Sequence, residues 1–247
     1  MTYSICAICP ETGHVGVAVA SRFFAAGAVV PHLRRTCAVA SQAFASPLWG
    51  IEMADRLAAG DAPAAILGDL ASRDAGQAQR QIHGVGPDRA ARAHTGGECV
   101  PWAGHAGDQG VSVAGNMLAG PEVVAETLAA FQDGAGMALP QRLLHAMRAG
   151  EAAGGDKRGR QSACIRVHRH EDFPWLDIRA DDHADPLGEL DRLLDVASER
   201  YLHMADVMPS TVNPSGVADR PALEARIAQA AAERGGRPTR SAATPLG

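Results

Sequence analysis

The first 21 residues predict a β-hairpin whose strands carry small apolar side chains on both faces. Residues 2–9 and 15–21 are rich in alanine, valine and isoleucine, and the sequence Pro-Glu-Thr-Gly at residues 10–13 is typical of a turn. A strand that is apolar on both faces must be covered on both faces. We therefore expect the hairpin to lie in a sheet that has helices on one side and a second sheet on the other.

Further strands and helices follow in alternating groups. Strands are predicted at residues 37–43, 79–85, 90–95, 110–115, 161–168 and 175–180, and helices at residues 47–59, 62–73, 121–133, 140–149 and 187–208. Hairpin connections between neighbouring strands favour antiparallel pairing. The sequence therefore predicts the α+β class, as a four-layer αββα sandwich of two mainly antiparallel sheets.

The character of the chain changes after residue 208. Residues 1–208 predict the sandwich domain, and the proline- and serine-rich stretch that follows is typical of a linker. A short alanine-rich helix is predicted near residues 221–234. Residues 235–247 are polar and rich in glycine, proline, serine and threonine, which predicts a disordered tail. Residues 209–247 are therefore interpreted as an appendage of linker, helix and tail.

Charge and composition exclude several classes of protein. The net charge is −5 without a long basic run, so nucleic acid is not an expected partner. The sequence also lacks an apolar stretch of the roughly 18 residues that predict a membrane span. The five cysteines are scattered, and no secretory signal pattern opens the chain, which predicts a cytoplasmic location. The apolar stripe along residues 187–204 is expected to pack on the sandwich or, in a homo-oligomer, on a second subunit.

Thr2 is a candidate catalytic nucleophile. If aminopeptidase removes Met1, as is usual before a small residue, Thr2 carries both a hydroxyl group and a free α-amine. An α-amine with a pKa of about 7.7–8.0 can act as the general base for the hydroxyl group of the same residue. The alternative is that Thr2 is simply the first residue of a strand, which its β-branched side chain favours, and residue 2 taken alone supports that alternative better.

A glycine-rich loop at residues 154–162 is the second candidate element. One acidic and three basic side chains lie among its glycines, directly before a predicted core strand. The bases are suited to an anionic substrate group, and the acid to an amine or an arginine. A solvated surface loop is the alternative interpretation. The candidate residues of this loop are Asp156, Lys157, Arg158, Gln161 and Ser162.

Further candidates lie at strand ends and in one loop. Asn116, at a predicted strand end, has an amide that can donate to an oxyanion in acyl transfer, or it is a turn residue. Trp102 either forms the floor of a pocket or fills a corner of the core, and packing is the commoner role. Ser41 and Gln42 end an apolar strand, where their polar side chains contact substrate or satisfy the edge of the sheet, and Ser21 ends the strand at residues 15–21.

Two clusters of histidine and aspartate are candidate metal ligands. His168 and His170 are followed by Asp172, and a second cluster lies at residues 181–185. Both border turns, where polar side chains are expected in any case, and the H-E-x-x-H pattern is missing. We therefore predict no metal and no cofactor.

Six segments of the chain carry a family resemblance: TYSI (2–5), GVAVAS (16–21), GAVVP (27–31), CVPWAG (99–104), GNMLAG (115–120) and GGDKRGRQS (154–162). Together they resemble a bacterial family, the DUF1028 family, which is grouped with the N-terminal nucleophile (Ntn) hydrolases. The resemblance spans residues 1–194 and implies an αββα sandwich in which Thr2 cleaves an amide bond through an acyl-enzyme. Similar sequences often have lysine where this chain has Arg22, which is a fixed cation and cannot act as a base.

The working hypothesis is an Ntn-type hydrolase of small amides, N-acyl compounds or short peptides. Thr2 is the nucleophile, Asn116 an oxyanion donor, and Asp156 a group that holds the α-amine or orients Arg158. Substrate contacts are expected from Ser21, Arg22, Gln42, Trp102, Lys157, Arg158, Gln161 and Ser162. The competing hypothesis is a non-catalytic ligand-binding or interaction module on the same fold, and a third is a metal hydrolase that uses the histidines.

Overall fold

The computed structural model describes residues 2–243 and contains two antiparallel sheets with helices on their outer faces. Met1 and residues 244–247 lie outside the described residues. The strands are β1 Thr2–Ile8, β2 Val15–Ser21, β3 Pro31–Arg34, β4 Cys37–Ala43, β5 Arg80–Val85, β6 Ala91–Thr95, β7 Gly104–Asp108, β8 Val111–Asn116, β9 Ser162–His168 and β10 Leu176–Ala180. The helices are α1 Pro47–Ala59, α2 Pro63–Arg73, α3 Glu122–Asp133, α4 Leu139–Ala152, α5 Pro186–Val196, α6 Leu202–Ala205 and α7 Arg220–Glu233.

The first sheet has the strand order β10-β9-β2-β1-β8-β7, so the N-terminal strand lies near its centre. Successive side chains of a strand point to opposite faces. On β1, Tyr3, Ile5 and Ala7 belong to the core beneath α3, α4 and α5, whereas Cys6 belongs to the core between the two sheets. Ser4 also faces the second sheet, because its hydroxyl group donates to the side chain of a β4 residue at 2.7 Å.

The second sheet has the order β3-β4-β5-β6 and is covered on its outer face by α1 and α2. Val39 and Ile82 of this sheet pack against Met53 and Leu57 of α1 in one buried cluster. The chain therefore has four layers: helices, first sheet, second sheet, helices. This confirms the predicted αββα sandwich of antiparallel sheets, which follows from the two-sided burial of the N-terminal hairpin.

Two short edge strands are missing from the prediction. The strand β3 begins with a proline, and β7 has the sequence GHAGD, which lacks the β-branched and aromatic residues typical of strands. Both lie at the edge of a sheet, where strands are short and only one neighbour supplies hydrogen bonds. Tertiary pairing therefore forms these strands against the local sequence preference.

The helix predicted at residues 187–208 is divided. The helix α5 ends at Val196, a π-helical turn follows at Ala197–Tyr201, and α6 ends at Ala205. Leu187 and Leu190 of the predicted apolar stripe are buried on the first sheet, but Tyr201 is 42% exposed. None of the described helices is long and apolar enough to cross a membrane.

The predicted short helix is present as α7, and the segments around it contact the end of the sandwich. Arg234 pairs with Glu199 at 3.4 Å, and Arg240 pairs with Asp195 at 2.7 Å. The disordered tail from residue 235 stays a prediction: residues 237–243 have no helix or strand, and Arg240 pairs with carboxylates of α5. The remainder of that expectation, residues 244–247, lies outside the described residues.

Candidate active site

Thr2 is the first residue of β1 and lies between the last residues of the two strands that flank it. It is paired with Asn116 of β8, and the hydroxyl group of Ser21 of β2 is 3.1 Å from Thr2 Oγ1. By the alternation of β1, the Thr2 side chain shares the face of Ser4 and points between the sheets. Thr2 is 6% exposed. Three hydrogen-bonding side chains therefore meet at one end of the sandwich.

The glycine-rich loop crosses the end of β1 above Thr2. The carboxylate of Asp156 accepts the backbone N–H of Arg22 at 2.8 Å, and the backbone N–H of Lys157 donates to the carbonyl of Met117 at 3.5 Å. Arg22 directly follows Ser21, and Met117 directly follows Asn116. Because β1 lies between β2 and β8, a loop that is bound to both of these residues spans the position of Thr2.

The side chain of Asp156 is held in place by several contacts in this loop. Its side chain is 4% exposed, and it accepts the backbone N–H of Arg158 at 2.8 Å in addition to that of Arg22. The guanidinium of Arg158 lies 3.4 Å from the same carboxylate. The structure thus places Asp156 against Arg158, one of its two expected partners.

The side-chain amide of Asn116 is oriented by a second amide, that of Gln81 on β5. Asn116 Nδ2 donates to Gln81 Oε1 at 3.0 Å and lies 3.5 Å from the carbonyl oxygen of Thr2. Gln81 Nε2 in turn faces the carbonyl oxygens of Gly115 at 2.9 Å and Gly104 at 3.2 Å. Carbonyl oxygens only accept, so the Gln81 nitrogen must lie on this side and its oxygen on the side of Asn116.

The same chain of hydrogen bonds continues to a buried histidine. Gln42 Nε2 donates to Gln81 Oε1 at 2.9 Å, and Ser4 Oγ donates to Gln42 Oε1 at 2.7 Å. Ser4 has a single hydroxyl hydrogen, so towards His83 Nε2, 2.7 Å away, it accepts. His83 therefore carries its proton on Nε2 and accepts from the hydroxyl group of Ser112 at Nδ1, at 3.0 Å.

His83 is a neutral structural group within this network. Burial, together with a smaller contribution from the nearby His105, lowers the pKa of His83 to about 3. A neutral imidazole is what the hydrogen-bond directions require, since Nδ1 accepts. His83 is thus suited to holding Ser4 and Ser112 in place and not to proton transfer near neutral pH.

Sequence reasoning did not identify Ser4, Gln81, His83 and Ser112. Polar residues at every second position of a strand are usually assigned to a solvent-facing side. In β5 the alternating Gln81 and His83 instead face the first sheet and are fully buried. Their only sequence signal is that β1 has the same two-residue period, in Thr2 and Ser4, in an otherwise apolar strand.

The last residue of β4 and the residue directly after β8 have backbone conformations that are rare for residues with a side chain. Ala43, directly after Gln42, has φ of 67°, and Met117, directly after Asn116, has φ of 54°. Left-handed conformations at non-glycine residues cost free energy and tend to occur at functional sites. Both lie next to a side chain of the amide network.

Several predicted substrate contacts are bound to other parts of the protein. Arg22 Nη1 donates to Gln161 Oε1 at 2.8 Å, and Gln161 Nε2 donates to Asp182 at 3.1 Å. Ser162 is buried and donates to the carbonyl of Phe23 at 2.6 Å. Gln161 and Ser162 therefore position the segment that follows β2.

Trp102 lines a cleft of about 570 Å³ with Pro101, Thr95 and His105. Its ring also packs over Gly104, where a Cβ would lie 2.5 Å from the indole, so it both fills a corner of the core and lines a pocket. The strand β7 is two strands away from β1, a distance of roughly 10 Å at normal strand spacing. The structure thus places Trp102 just before the edge strand β7, which β8 separates from the strand of Thr2.

The histidine and aspartate clusters do not form a metal centre within residues 2–243. No group of three or more histidine, cysteine, aspartate or glutamate side chains there is arranged to hold a metal ion. His168 is buried, and burial lowers its pKa to about 4.

The fold and the site define a class: an αββα sandwich with a polar site around the first residue of a central strand. The chain belongs to the DUF1028 family, a family of unknown function whose model matches residues 2–190. A crystal structure of a DUF1028 protein from Silicibacter pomeroyi is similar, with 30% identity and a TM-score of 0.81. The match covers 88% of this chain and 99% of that chain. No curated protein matches the chain.

Proposed function

We propose that this protein is an amide hydrolase in which Thr2, as the first residue of the mature chain, is the nucleophile. The observation that carries the proposal is the position of the Thr2 hydroxyl group. It lies at the start of a central strand, 3.1 Å from Ser21 Oγ, paired with Asn116 and spanned by the loop that holds Asp156. Buried hydroxyl groups in contact, next to a fixed carboxylate, suit nucleophilic catalysis.

The reaction has two steps. Thr2 Oγ1 attacks the carbonyl carbon of the amide, and its proton passes to the Thr2 α-amine, directly or through Ser21. The tetrahedral intermediate collapses to an ester of Thr2, and the α-ammonium returns the proton to the departing amine. A water molecule, deprotonated by the same α-amine, then hydrolyses the ester and regenerates the hydroxyl group.

Asn116 is the proposed side-chain donor to the oxyanion. One of its N–H groups is bound to Gln81 Oε1 at 3.0 Å, which fixes the amide plane. The other is directed towards the Thr2 carbonyl at 3.5 Å, which is a long hydrogen bond. Because this hydrogen bond is weak, little free energy is lost when the N–H group donates to a developing negative charge instead. Preorganised donors of this kind contribute about 2.7–4 kcal/mol to acyl transfer.

Asp156 is proposed to stabilise the α-ammonium that forms during the attack. It lies in the loop spanning the end of β1, and its side chain is 4% exposed, so its charge is weakly screened. The same carboxylate keeps Arg158 and the backbone of Arg22 in place. A neutral variant should therefore affect both the proton transfer and the loop.

The test is a screen of N-acyl amino acids, anilides and dipeptides with protein whose N-terminus has been verified. Thr2→Ala should lower turnover by at least about 1,000-fold without changing the fold, since it removes the nucleophile. Thr12→Ala, in the exposed turn after β1, is the matched control and should leave turnover unchanged. Turnover that survives in Thr2→Ala would contradict the proposal. Binding without any turnover would favour the non-catalytic module.

A further inference from the structure

Lys157 is the only lysine among the 23 lysine and arginine residues of the chain. Arginine and lysine are not equivalent: the guanidinium is planar and pairs in a bidentate manner, whereas the ammonium is a compact charge with three donors. The chain carries nearly all of its positive charge on arginine. Its one side-chain ammonium, that of Lys157, lies in the loop that spans Thr2. This placement distinguishes Lys157 from the other bases of the site.

The neighbouring bases are bound within the protein. Arg158 pairs with Asp156 at 3.4 Å, and Arg160 pairs with Glu151 at 3.1 Å. Lys157 Nζ donates to the carbonyl oxygen of Pro101 at 2.8 Å, a neutral acceptor that occupies one of its three N–H groups. Across residues 2–243, no carboxylate lies within ion-pair distance of this ammonium.

We propose that Lys157 binds the carboxylate of the substrate, and that the substrates are N-acyl amino acids. This inference rests on the proposed hydrolase function. The backbone of Lys157 is bound to Met117, next to the Asn116–Thr2 pair, so the loop that carries the ammonium lies beside the Thr2 site. In an N-acyl amino acid the carboxylate is separated from the amide nitrogen by one carbon atom.

The remainder of such a substrate has a cleft to occupy. Pro101, whose carbonyl anchors the Lys157 ammonium, lines the cleft of about 570 Å³ together with Trp102. An apolar side chain of the bound amino acid fits against the indole face. The Lys157 ammonium is therefore bound at this cleft, whose lining combines the apolar Trp102 and Pro101 with the polar Thr95 and His105.

The single lysine allows a direct test, because an amine reagent has only Lys157 Nζ and the N-terminal amine to modify. We would measure the rate of reductive methylation of Lys157 by mass spectrometry in the Thr2→Ala chain, which binds substrate without cleaving it. The probes are a panel of N-acetyl amino acids and the carboxamide analogue of each.

At least one of these acids should slow the methylation of Lys157 by about tenfold or more, while its carboxamide analogue should not. If no member of the panel protects Lys157, or if an acid and its carboxamide analogue protect it equally, the proposal is overturned.

A second measurement separates charge recognition from loop structure. In Lys157→Met, calorimetry should show that the affinity for the protecting acid falls by about 10- to 100-fold, the effect of one charge-assisted hydrogen bond. Arg220→Met removes one exposed positive charge from α7 and should leave the affinity unchanged. Unchanged affinity in Lys157→Met would overturn the assignment. Both measurements use binding alone, so they stand even where Thr2 proves not to be a nucleophile.

Discussion

The hydroxyl groups of Thr2 and Ser21 face each other across neighbouring strands at 3.1 Å. When Thr2 gives up its proton, Ser21 can donate to the resulting alkoxide or carry the proton onwards. Ser21 was expected to bind substrate, and its position also suits it to activating the proposed nucleophile. The proposed chemistry therefore uses a pair of hydroxyl groups, of which only Thr2 carries an α-amine once Met1 is removed.

Ser21→Ala should lower kcat by about tenfold or more, because it removes a hydrogen bond to the nucleophile that strengthens as charge develops. Steady-state kinetics on an amide found in the screen measures the change. Ser72→Ala, whose hydroxyl group lies on the exposed end of α2, is the matched control. A kcat in Ser21→Ala equal to that of the parent protein would show that the hydroxyl pair has no catalytic role.

At the scale of strands, the two sheets are joined at the site by side-chain amides instead of apolar contacts. Gln81 is fully buried on β5. It is bound to β4 through Gln42 and to β8 through Asn116 and the carbonyl of Gly115. A buried network of this kind fixes one arrangement, because each unpaired member costs free energy. The orientation of Asn116 is thus determined by a residue of the opposite sheet.

Gln81→Met should lower the free energy of unfolding by about 2 kcal/mol or more, since it keeps the side-chain volume but leaves buried donors and acceptors unpaired. Urea unfolding measures the change. Gln132→Met on the exposed face of α3 is the control and should change it by less than about 0.5 kcal/mol. Equal effects of the two substitutions would mean that the network does not hold the sheets together.

The same strands show how far the sequence predicts this protein. The hairpin at residues 2–21 and the alternation of strands and helices were sufficient for the αββα layers, because two-sided burial leaves few arrangements. The edge strands β3 and β7 were missed, since only pairing with a neighbour forms them. Thr2, Asn116 and Asp156 are candidates because of their chemistry, and their catalytic roles stay predictions. Gln81 and His83 were not identified, because inward-facing polar residues have the same two-residue period as solvent-facing ones.

At the scale of the whole molecule, buried histidines make stability depend on pH. Burial lowers the pKa of His83 to about 3 and the pKa values of His14, His32 and His168 to about 4, from an ordinary value of 6.5. Between these values the unfolded chain binds protons that the folded chain does not. Stability is therefore fully present above pH 6.5 and decreases as the pH falls towards 4.

His83 alone should account for about 2 kcal/mol of the stability lost between pH 6.5 and pH 5, at about 1.4 kcal/mol per pH unit. In His83→Gln, the slope of the free energy of unfolding against pH in this range should decrease by about 1.4 kcal/mol per pH unit. Ser112→Ala removes a partner of His83 but keeps the imidazole, so it should lower stability and retain the slope. An unchanged slope in His83→Gln would contradict a neutral, buried His83.

The proposed hydrolysis depends on a free α-amine at Thr2. Intact-mass spectrometry of the native protein, before and after brief exposure to an amide that it cleaves, tests this most directly. We predict the mass of a chain that starts at Thr2, and after exposure a transient adduct of one acyl group that fragmentation assigns to Thr2. Active protein that retains Met1, or an acyl group on any other residue, would contradict the central claim.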